Sequence, residues 1–546
     1  MARSRWVSKL AVGLGLGLGF GVAWQSSSGD SSHAEKLTLA ADGVVRSSRA
    51  IFTIGFVVAD YKYSLRRFPP DSPGYRAKLS EIHLRSAKKL LKLCESNKGF
   101  YVKAGQFVSA LRQVPKEYSM ILSSLQDQAN PYPFKEIKEV IIKNLGKDLS
   151  QVFLFLDEQP IAAASIAQVH HGFLKDNQEV AVKVQYPGLK QRMKIDLTTM
   201  DILSTSVSWI FPDYRFDRIV SEFERAMHLE LDFVQEANNS EKTARNFKMN
   251  NAVKIPHIFW DLTTSQVLTM EFCRGQKVDD LDFLKQSGIN PLKVAKALMD
   301  VFSEMIFVHG FVHGDPHPGN ILVYPVGHGN FSLVLLDHGI YTELDEMFRI
   351  NYSQLWKALI LQDPQKIQQL GEQLGVGKYS KYLPVIFTGR TMESKSVLRT
   401  QMANEEKIRL KQELRSLKMD DLSSFMESLP PDFLSILRTD GLLRSVMSKL
   451  GAPRHVRLLA YAKFAMYGLT INSNVDKGFS VEHVLSRIKA DITYLHLRLL
   501  LGILELISKL GDMRHYVKNK IGNIYEMVNF LYSSLFVLIE RSLRVI

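Results

Sequence analysis

The sequence predicts an α+β fold in which a strand-rich unit precedes a helix-rich unit. Valines alternate with other residues at Glu179–Gln185, which is typical of a strand, and a second strand is predicted at residues 266–272. After Gly275 the apolar spacing becomes mostly helical. Two short apolar runs, residues 321–324 and 332–336, interrupt it and predict a β-hairpin at the start of the second unit.

Length and composition limit the class of protein. A chain of 546 residues exceeds what one hydrophobic core usually supports, so at least two structural units are expected. Apolar residues at 46% and charged residues at 23% are typical of globular proteins. The net charge of +13 predicts an anionic partner or an organellar location. The sequence lacks zinc-ligand spacing and interleaved basic and aromatic residues, so we predict no nucleic-acid partner. The two cysteines, Cys94 and Cys273, predict no disulfide framework.

Residues 1–42 are predicted to form a targeting or membrane-anchor segment and a linker. Three basic residues precede the apolar run at residues 10–24, and no acidic residue occurs before Asp30. A basic start is typical of organellar presequences, and five alternate glycines in the run permit close packing in lipid. We interpret the segment as a mitochondrial presequence that overlaps a membrane anchor, with a cleaved peptide of no later role as the alternative. Residues 25–42, rich in Ser, Gly and Asp, predict the linker.

The residues that carry chemistry flank the predicted hairpin. The sequence HGDPHPGN occupies residues 313–320, and DHG follows at residues 337–339. Phosphoryl transfer needs a carboxylate near the attacking hydroxyl and oxygen ligands for Mg²⁺. Asp315, with Asn320 five residues later, has the spacing of a protein-kinase catalytic loop, and Asp337 begins a turn whose glycine lets the carboxylate face a metal ion. We predict that Asp315 is the base or water-orienting carboxylate and that Asn320 and Asp337 hold Mg²⁺.

Upstream residues complete the predicted ATP site. The motif VAVK ends at Lys183 on the first strand and presents an ammonium to the α- and β-phosphates. Its carboxylate partner is predicted to be Glu236, within a helical stretch over residues 193–249. The second strand ends near Glu271 and Cys273, where a hinge that binds the nucleotide is expected. Each motif alone is weak, but their order on the required elements strongly favours a kinase-type site.

Two other readings of the same residues remain open at this point. An Asp before a proline often only caps a turn, which would leave the remaining positions unexplained. Alternatively, a zinc or iron site of a metallohydrolase could be built from five side chains, namely His313, Asp315, His317, Asp337 and His338. That reading leaves Lys183 and Glu236 without roles.

The sequence departs from an ordinary protein kinase in the loop before the VAVK strand. A glycine-rich loop is expected there, but the positions hold Ala162, Ala163, Ala164 and Ser165. Alanine resists positive φ, so we predict a stiffer loop of different shape over the phosphates. An APE triplet is also missing after Asp337. These departures argue against phosphorylation of a protein substrate and leave nucleotide binding intact.

The alanine-rich loop, the HGDPHPGN loop, the ELDFVQEAN segment and the KAGQ segment together resemble the UbiB (aarF-domain) family of atypical kinases over residues 75–341. The resemblance implies a protein-kinase-like bilobal fold with a helical N-terminal KxGQ extension and C-terminal helices. It also implies ATP and Mg²⁺ as cofactors, ATPase activity, and a mitochondrial role in coenzyme Q or lipid homeostasis.

The predicted domains follow from this resemblance. After the N-terminal segment they are a helical extension (43–135), a kinase-like N-lobe (136–272), a kinase-like C-lobe (273–470) and C-terminal helices (471–546). Two apolar segments of the last part, residues 495–507 and 527–539, border charges and predict docked core helices rather than membrane spans.

The resemblance also implies regulatory residues. The KxGQ lysine, here Lys103 with Gln106, is expected to reach the active site and meet the ExD motif, here Glu230 and Asp232. Lys103 would then block the place of a peptide substrate. On one helix Glu230 and Glu236 lie about 120° apart, so they can serve two lysines. Without the ExD motif, a polar turn inside a helical region would be the preferred reading of KAGQ.

The predicted function is therefore an atypical kinase or ATPase that is membrane-associated in mitochondria, with a plastid as the alternative location. Its expected partners are ATP and a membrane lipid or isoprenoid quinone, and the oligomeric state is not predicted. Two alternatives are a nucleotide-gated lipid-binding scaffold with negligible turnover and a small-molecule phosphotransferase.

Overall fold

The computed structural model describes residues 33–69, 72–110, 114–125, 131–211, 216–391 and 429–470, with a few single residues between 408 and 499. The predicted presequence and anchor lie outside the described residues, as do nearly all of the predicted C-terminal helices. Within the described ranges no helix is long and apolar enough to cross a membrane.

Internal contacts divide the chain into two units. Unit 1 comprises Met1–Lys277 and Gly319–Tyr341, and unit 2 comprises Val278–Pro318 and Thr342–Ile546. The predicted mixture of helices and strands is confirmed. The boundary between the first stretch of unit 1 and unit 2 follows Lys277, five residues after the predicted boundary at residue 272. The hairpin belongs to unit 1 because its strands pair with other strands of unit 1.

In the part of unit 1 that the structure describes, the N-terminal extension contains the helices α1 (His33–Leu65), α2 (Pro73–Asn97), α3 (Phe100–Ala110) and α4 (Lys116–Leu122). The linker predicted at residues 25–42 is wrong from His33 onward, where α1 already begins. Its apolar residues recur at helical spacing, and Ala40 and Ala50 are buried. The start of α2 is set by Ser72, whose side chain accepts a hydrogen bond from the Tyr75 backbone.

A five-stranded antiparallel sheet follows, preceded by two helices. The elements are α5 (Phe134–Leu145), α6 (Leu149–Val152), β1 (Phe153–Leu156), β2 (Ala162–Ala163), β3 (Ala167–Leu174) and β4 (Glu179–Gln185). The valines at 180, 182 and 184 are fully buried against Ile137 and Ile141 of α5. The predicted alternation in β4 is therefore confirmed, and it turns Lys183 to the other face of the strand.

Three helices separate β4 from the next strand, where the sequence predicts one helical stretch. They are α7 (Leu189–Ile210), α8 (Phe216–Glu230) and α9 (Phe233–Asn246). The break between α8 and α9 occurs because Asp232 adopts an extended backbone and its side chain caps α9 by accepting from the Val234 backbone. Glu230 and Glu236 therefore lie on different helices, so the expected 120° relation on one helix is wrong.

The remaining strands of unit 1 are β5 (Val253–Lys254), β6 (Val267–Glu271) and β7 (Gln276–Lys277). The first sheet has the order β1-β3-β4-β6, and β2 pairs with β3. The chain then enters unit 2. Its first elements are α10 (Leu281–Gln286), α11 (Pro291–Glu304), a π-helix (Met305–His309) and β8 (Phe311–His313).

The predicted hairpin is present as β9 (Ile321–Gly327) and β10 (Asn330–Leu335) of unit 1. Its two-residue turn, His328 and Gly329, has positive φ at both positions, which matches the right-handed twist of the strands. The hairpin forms a second sheet of order β5-β10-β9-β7. Gly275 precedes this sheet with φ of +146°, and a Cβ there would lie 2.9 Å from the Val323 carbonyl oxygen.

Unit 2 resumes at Thr342, within the short strand β11 (Tyr341–Glu343), and is helical after this strand in the described residues. Its helices are α12 (Glu346–Leu361), α13 (Pro364–Gln373), α14 (Leu383–Thr388), α15 (Pro431–Lys449) and α16 (Arg454–Thr470). Buried aromatic rings of α12, α14, α15 and α16 pack edge to face, as Tyr352 does on Phe387. Gly468 of α16 lies so close to the π-helix that a Cβ would meet the Phe307 carbonyl oxygen at 2.2 Å.

Candidate active site

A mostly buried lysine, with 14% of its side chain exposed, and two carboxylates meet in unit 1. Lys183 Nζ donates to both oxygens of Glu236, at 2.7 and 2.9 Å, and lies 3.4 Å from Asp337 Oδ2. The Glu236 side chain is 3% exposed and that of Asp337 is 41% exposed. The lysine is therefore fixed by an enclosed carboxylate on one side and by a solvent-facing carboxylate on the other.

Three different elements bring these groups together. Lys183 lies on β4, opposite Leu268 of β6. Glu236 lies in the first turn of α9, which Asp232 caps, and Asp337 follows the last residue of β10 by two positions. Lys183 Nζ also lies 5.1 Å from the centre of the Phe233 ring, a cation–π contact that the sequence analysis missed. The spacing of Phe233 carries no signal for that contact, because only the capped start of α9 places the ring there.

Burial and neighbouring charges shift the pKa values of Lys183 and Glu236 in opposite directions. Burial alone would lower the pKa of the Lys183 ammonium, but Asp337 and Glu236 outweigh it and raise that pKa. Burial raises the pKa of Glu236, although Lys183 opposes the change. The short bidentate contact holds the ammonium charged at neutral pH, as phosphate binding requires.

Asp337 begins a tight turn, as expected for a DxG motif. Its Oδ1 accepts from the Gly339 backbone at 2.9 Å, and the His338 carbonyl oxygen accepts from the Asn239 amide of α9. His338 is buried, with Nδ1 2.9 Å from the Tyr341 hydroxyl and Nε2 3.1 Å from the Leu335 carbonyl oxygen. Its two nitrogens therefore face protein groups rather than a metal site.

The proposed zinc or iron site receives no support. Among the residues that the structure describes, no three His, Cys, Asp or Glu side chains are grouped to hold a metal ion. The oxygen-rich pair Asn320 and Asp337 suits Mg²⁺ instead. The register of the hairpin pairs Leu335 with Ile321, and the Leu336 backbone donates to the Asn320 carbonyl oxygen at 2.9 Å. Both predicted ligands thus lie at the same end of the hairpin, and their side-chain oxygens are of the kind that would hold Mg²⁺.

Asp315 lies in unit 2, two residues after the last residue of β8. Its backbone N–H donates to His313 Nδ1 at 3.0 Å, and its carbonyl oxygen accepts from the His317 backbone. Both contacts are made by the main chain of Asp315 and hold the turn after β8.

The alanine-rich loop is a short, closed hairpin between β2 and β3. The Ala164 backbone donates to the Ala167 carbonyl oxygen, and Tyr186 holds the loop from outside. The Tyr186 hydroxyl donates to the Ala164 carbonyl oxygen at 2.7 Å, and its backbone donates to that of Ile166 at 3.1 Å. Ala162 is exposed, Ser165 is buried, and none of the three alanines has positive φ.

Tyr186 is itself oriented by residues that the sequence analysis missed. Its ring stacks on Tyr132 with centres 4.4 Å apart, and Arg192 donates to the Tyr132 hydroxyl at 2.6 Å. Arg192 Nε lies 3.7 Å from Asp42 of α1. The only sequence signal is the position of Tyr186 directly after the VAVKVQ strand, which places its ring near the loop.

The predicted hinge residues lie at the end of β6. Glu271 accepts from Lys254 Nζ at 2.5 Å, and the Phe272 backbone donates to the Glu179 carbonyl oxygen. The Cys273 side chain is buried, and burial raises its pKa to about 11, so the thiol is neutral. Because Glu271 is held by Lys254, the backbone rather than the carboxylate is the part suited to contact a nucleotide base.

The KxGQ segment lies inside α3 and is not a turn. Lys103 Nζ lies 3.4 Å from Glu230 Oε2, so the ion pair that the resemblance implies is present. Asp232, the second residue of the ExD motif, caps α9, and Gln106 Nε2 donates to the Leu125 carbonyl oxygen at 3.3 Å. Of the four predicted regulatory residues, Lys103 and Glu230 are thus brought together.

Comparisons with known proteins agree with these features. The family described as ABC1 atypical kinase-like domain matches residues 124–371. An AarF domain-containing protein kinase 1 of Xenopus tropicalis is 39% identical over 413 residues, which cover 75% of this chain and 79% of that protein. A putative ABC1 protein of Arabidopsis thaliana is 37% identical over 476 residues, with coverage of 82% and 87%. A probable serine/threonine-protein kinase of Dictyostelium discoideum, abkD, is 35% identical over 484 residues, with coverage of 88% and 68%.

Proposed function

This chain belongs to the ABC1/AarF (UbiB) family of atypical kinases, and on that premise we propose that it binds ATP with Mg²⁺ and hydrolyses it. The single observation that carries the proposal is the triad in unit 1. Lys183 is held by the buried Glu236 and lies 3.4 Å from the exposed Asp337. A fixed ammonium beside a solvent-facing carboxylate is the arrangement that binds phosphates and their metal ion.

Each residue has a role in this proposal. Lys183 contacts the α- and β-phosphates while Glu236 holds its position, and Asn320 and Asp337 hold Mg²⁺. When bound, the metal ion neutralises charge on the phosphates. Asp315 orients the attacking water and accepts its proton. The loop Ala162–Ala163–Ala164–Ser165 covers the phosphates, and the backbone at Glu271 and Cys273 contacts the base.

Hydrolysis, rather than transfer to a protein, is favoured by two features of unit 1. The alanine-rich loop is anchored on Tyr186 and has none of the freedom that glycines give an ordinary kinase loop. Lys103 lies 3.4 Å from Glu230, two residues before the cap of α9. A lysine in this place competes with a peptide substrate for the same space.

The cellular role follows from the family and the N-terminal sequence. We propose a mitochondrial, membrane-associated protein that acts in coenzyme Q or lipid homeostasis, with a lipid or an isoprenoid quinone as its partner. The basic, acid-free start of the chain supports the location.

A second candidate function is a nucleotide-gated scaffold with negligible turnover. The Lys103–Glu230 ion pair favours it, because a lysine that closes the substrate side permits binding without transfer. Release of inorganic phosphate separates the two functions. Turnover that disappears in both Lys183→Ala and Asp315→Asn supports the ATPase. Undiminished hydrolysis in both variants would overturn the catalytic assignment, and nucleotide binding without any turnover in the wild type would favour the scaffold.

A further inference from the structure

The buried face of α9 contacts the turn that carries Asp337. Asn239 of this helix is buried, and its Nδ2 donates to the His338 carbonyl oxygen at 2.9 Å. The backbone N–H of His338 donates to the Glu236 carboxylate. Glu236 and Asn239 are three residues apart, so they lie beside each other on one face of the helix. We call these two contacts the backbone clamp, because both hold the main chain of His338.

The amide of Asn239 is oriented by its own helix. Gln235 Nε2 donates to Asn239 Oδ1 at 3.1 Å, so Oδ1 faces Gln235 while Nδ2 faces the turn. A buried carbonyl oxygen needs a hydrogen-bond donor, and Asn239 supplies one to His338. An apolar side chain of similar size would fill the same space without donating this hydrogen bond. The contact is therefore directional and specific to the amide.

The side chain of His338 is held on the other side of the turn. Its Nδ1 lies 2.9 Å from the Tyr341 hydroxyl, and its Nε2 lies 3.1 Å from the Leu335 carbonyl oxygen. Leu335 is the last residue of β10, and Tyr341 is the first residue of β11. The main chain of His338 is thus joined to α9 and its side chain to the two flanking strands, which leaves the turn little freedom to move.

The turn determines the direction of the Asp337 carboxylate. Asp337 Oδ1 accepts from the Gly339 backbone at 2.9 Å, and Oδ2 lies 3.4 Å from Lys183 Nζ. Asp337 directly precedes the clamped His338 in the chain. A shift of the His338 main chain would therefore move both the carboxylate and the glycine N–H that orients it. The position of Asp337 beside Lys183 depends in this way on α9.

We infer that Asn239 is a positioning residue that, together with Glu236, sets the place of the Asp337 carboxylate relative to Lys183. The inference rests on the proposed binding of ATP with Mg²⁺, in which Asp337 holds the metal ion. The contact of Lys183 with Glu236 does not involve Asn239. Loss of the Asn239 amide therefore weakens the contribution of the metal ion to ATP binding and spares the contribution of the lysine.

The first measurement is made on the full chain without nucleotide. Hydrogen exchange, followed by mass spectrometry, compares the segment 335–341 in the wild type, Asn239→Leu and Asn238→Leu. Asn238 is exposed on the same helix, so the same change at that position is a matched control. Asn239→Leu should speed exchange in the turn about fivefold, the factor that one lost hydrogen bond typically gives. Asn238→Leu should leave this exchange unchanged.

The second measurement is calorimetric titration of the same three proteins with ATP, with and without Mg²⁺. Asn239→Leu should reduce the gain in ATP affinity that Mg²⁺ provides about fivefold and change the metal-free Kd less than about twofold. Asn238→Leu should keep the full gain. A role of Asn239 in general packing alone would weaken ATP binding equally under both conditions. Asn239→Ala, which removes the amide without an apolar replacement, takes the place of Asn239→Leu if that variant does not fold.

Three results would overturn the inference. The first is unchanged exchange of the segment 335–341 in Asn239→Leu, and the second is equally faster exchange in Asn238→Leu. The third is an equal loss of ATP binding by Asn239→Leu with and without Mg²⁺. A wild-type protein whose ATP binding did not respond to Mg²⁺ would instead overturn the proposed function, and the exchange measurement alone would then decide whether Asn239 holds the turn.

Discussion

Lys103 of α3 lies 3.4 Å from Glu230, the last residue of α8, and so joins the N-terminal extension to the helix that precedes Glu236, the carboxylate that holds Lys183. The two glutamates face different lysines because the chain breaks between α8 and α9 at Asp232. The extension therefore contacts the segment that positions Glu236, and changes in the extension are expected to reach the nucleotide site.

A substitution at Gly105 tests the packing of α3 that brings Lys103 near Glu230. A Cβ at Gly105 would lie 2.3 Å from Leu125 Cδ1 and 3.0 Å from Cys94 Sγ. Gly105→Ala is expected to lower the free energy of unfolding by about 1–3 kcal/mol, as overpacking usually does. Leu125→Val removes the clashing methyl group, so the double variant should recover part of the loss.

Urea denaturation measures both effects. The control is Gly55→Ala in α1, where nothing lies within 4 Å of the added Cβ. That change should be neutral or stabilise by up to about 1 kcal/mol, because alanine favours helix. An equal loss in the two alanine variants would contradict the packing account.

Glu236→Gln tests the buried ion pair. The change leaves Lys183 with the more distant Asp337 as its remaining charged partner among the described residues. Breaking a buried pair on one side typically costs about 3 kcal/mol of folding stability. Chemical denaturation of this variant and of Glu158→Gln, which alters an exposed carboxylate, provides the comparison. Similar stabilities of the two variants would show that Glu236 does not hold Lys183.

Tyr186→Phe tests the anchor of the alanine-rich loop. The change removes the hydroxyl that donates to Ala164 and keeps the stack on Tyr132. Loss of one hydrogen bond of about 1 kcal/mol should raise the KM for ATP about fivefold with a smaller effect on kcat. Steady-state hydrolysis gives both constants, with Tyr324→Phe, at an exposed tyrosine of the second sheet, as control. An unchanged KM for ATP would show that the Tyr186 hydroxyl does not anchor the alanine-rich loop.

His309 in the π-helix predicts a pH dependence of stability. Burial lowers its pKa to about 4, below the ordinary 6.5. The neutral form is favoured in the fold, so this stabilisation is present above pH 6.5 and is lost as the pH falls toward 4. Between about pH 7 and about pH 5 the contribution falls by about 2 kcal/mol.

His309→Gln should therefore lose less stability than the wild type between these two pH values in urea titrations. His328→Asn is the control, since His328 is exposed in the hairpin turn and asparagine tolerates its positive φ. If His309→Gln and the wild type lost the same stability between these two pH values, protonation of the buried His309 would not be the cause of the pH dependence.

The sequence predicts strands β4 and β6 and the hairpin of β9 and β10 correctly because their signals are local. Alternation in β4 and the glycine-containing turn between β9 and β10 depend on neighbouring residues only. The start of α1 at His33 is missed because its Ser, Gly and Asp content suggests a linker, while packing against α7 stabilises a helix. The break at Asp232 is missed because a capping residue inside a helical pattern has no periodic signature.

The difference between local sequence signals and contacts made only by the fold also applies to the candidate site. The placement of Lys183, Glu236 and Asp337 follows from motif order, since each motif sits on a defined element. Other side chains act on the site through contacts that are distant in sequence, and no spacing reveals Phe233, Arg192 or Lys254. Tyr186 is indicated only by its position directly after the VAVKVQ strand. Ordinary side chains become part of a site only through the fold that brings them near it.

Calorimetric titration of ATP with and without Mg²⁺ tests the central claim most directly. Wild-type protein should bind ATP more tightly with Mg²⁺ present. Asp337→Asn should lose that dependence, while Asp261→Asn, a change outside the site, should retain it. Equal Mg²⁺-dependent binding by Asp337→Asn and the wild type would contradict the assignment of the site.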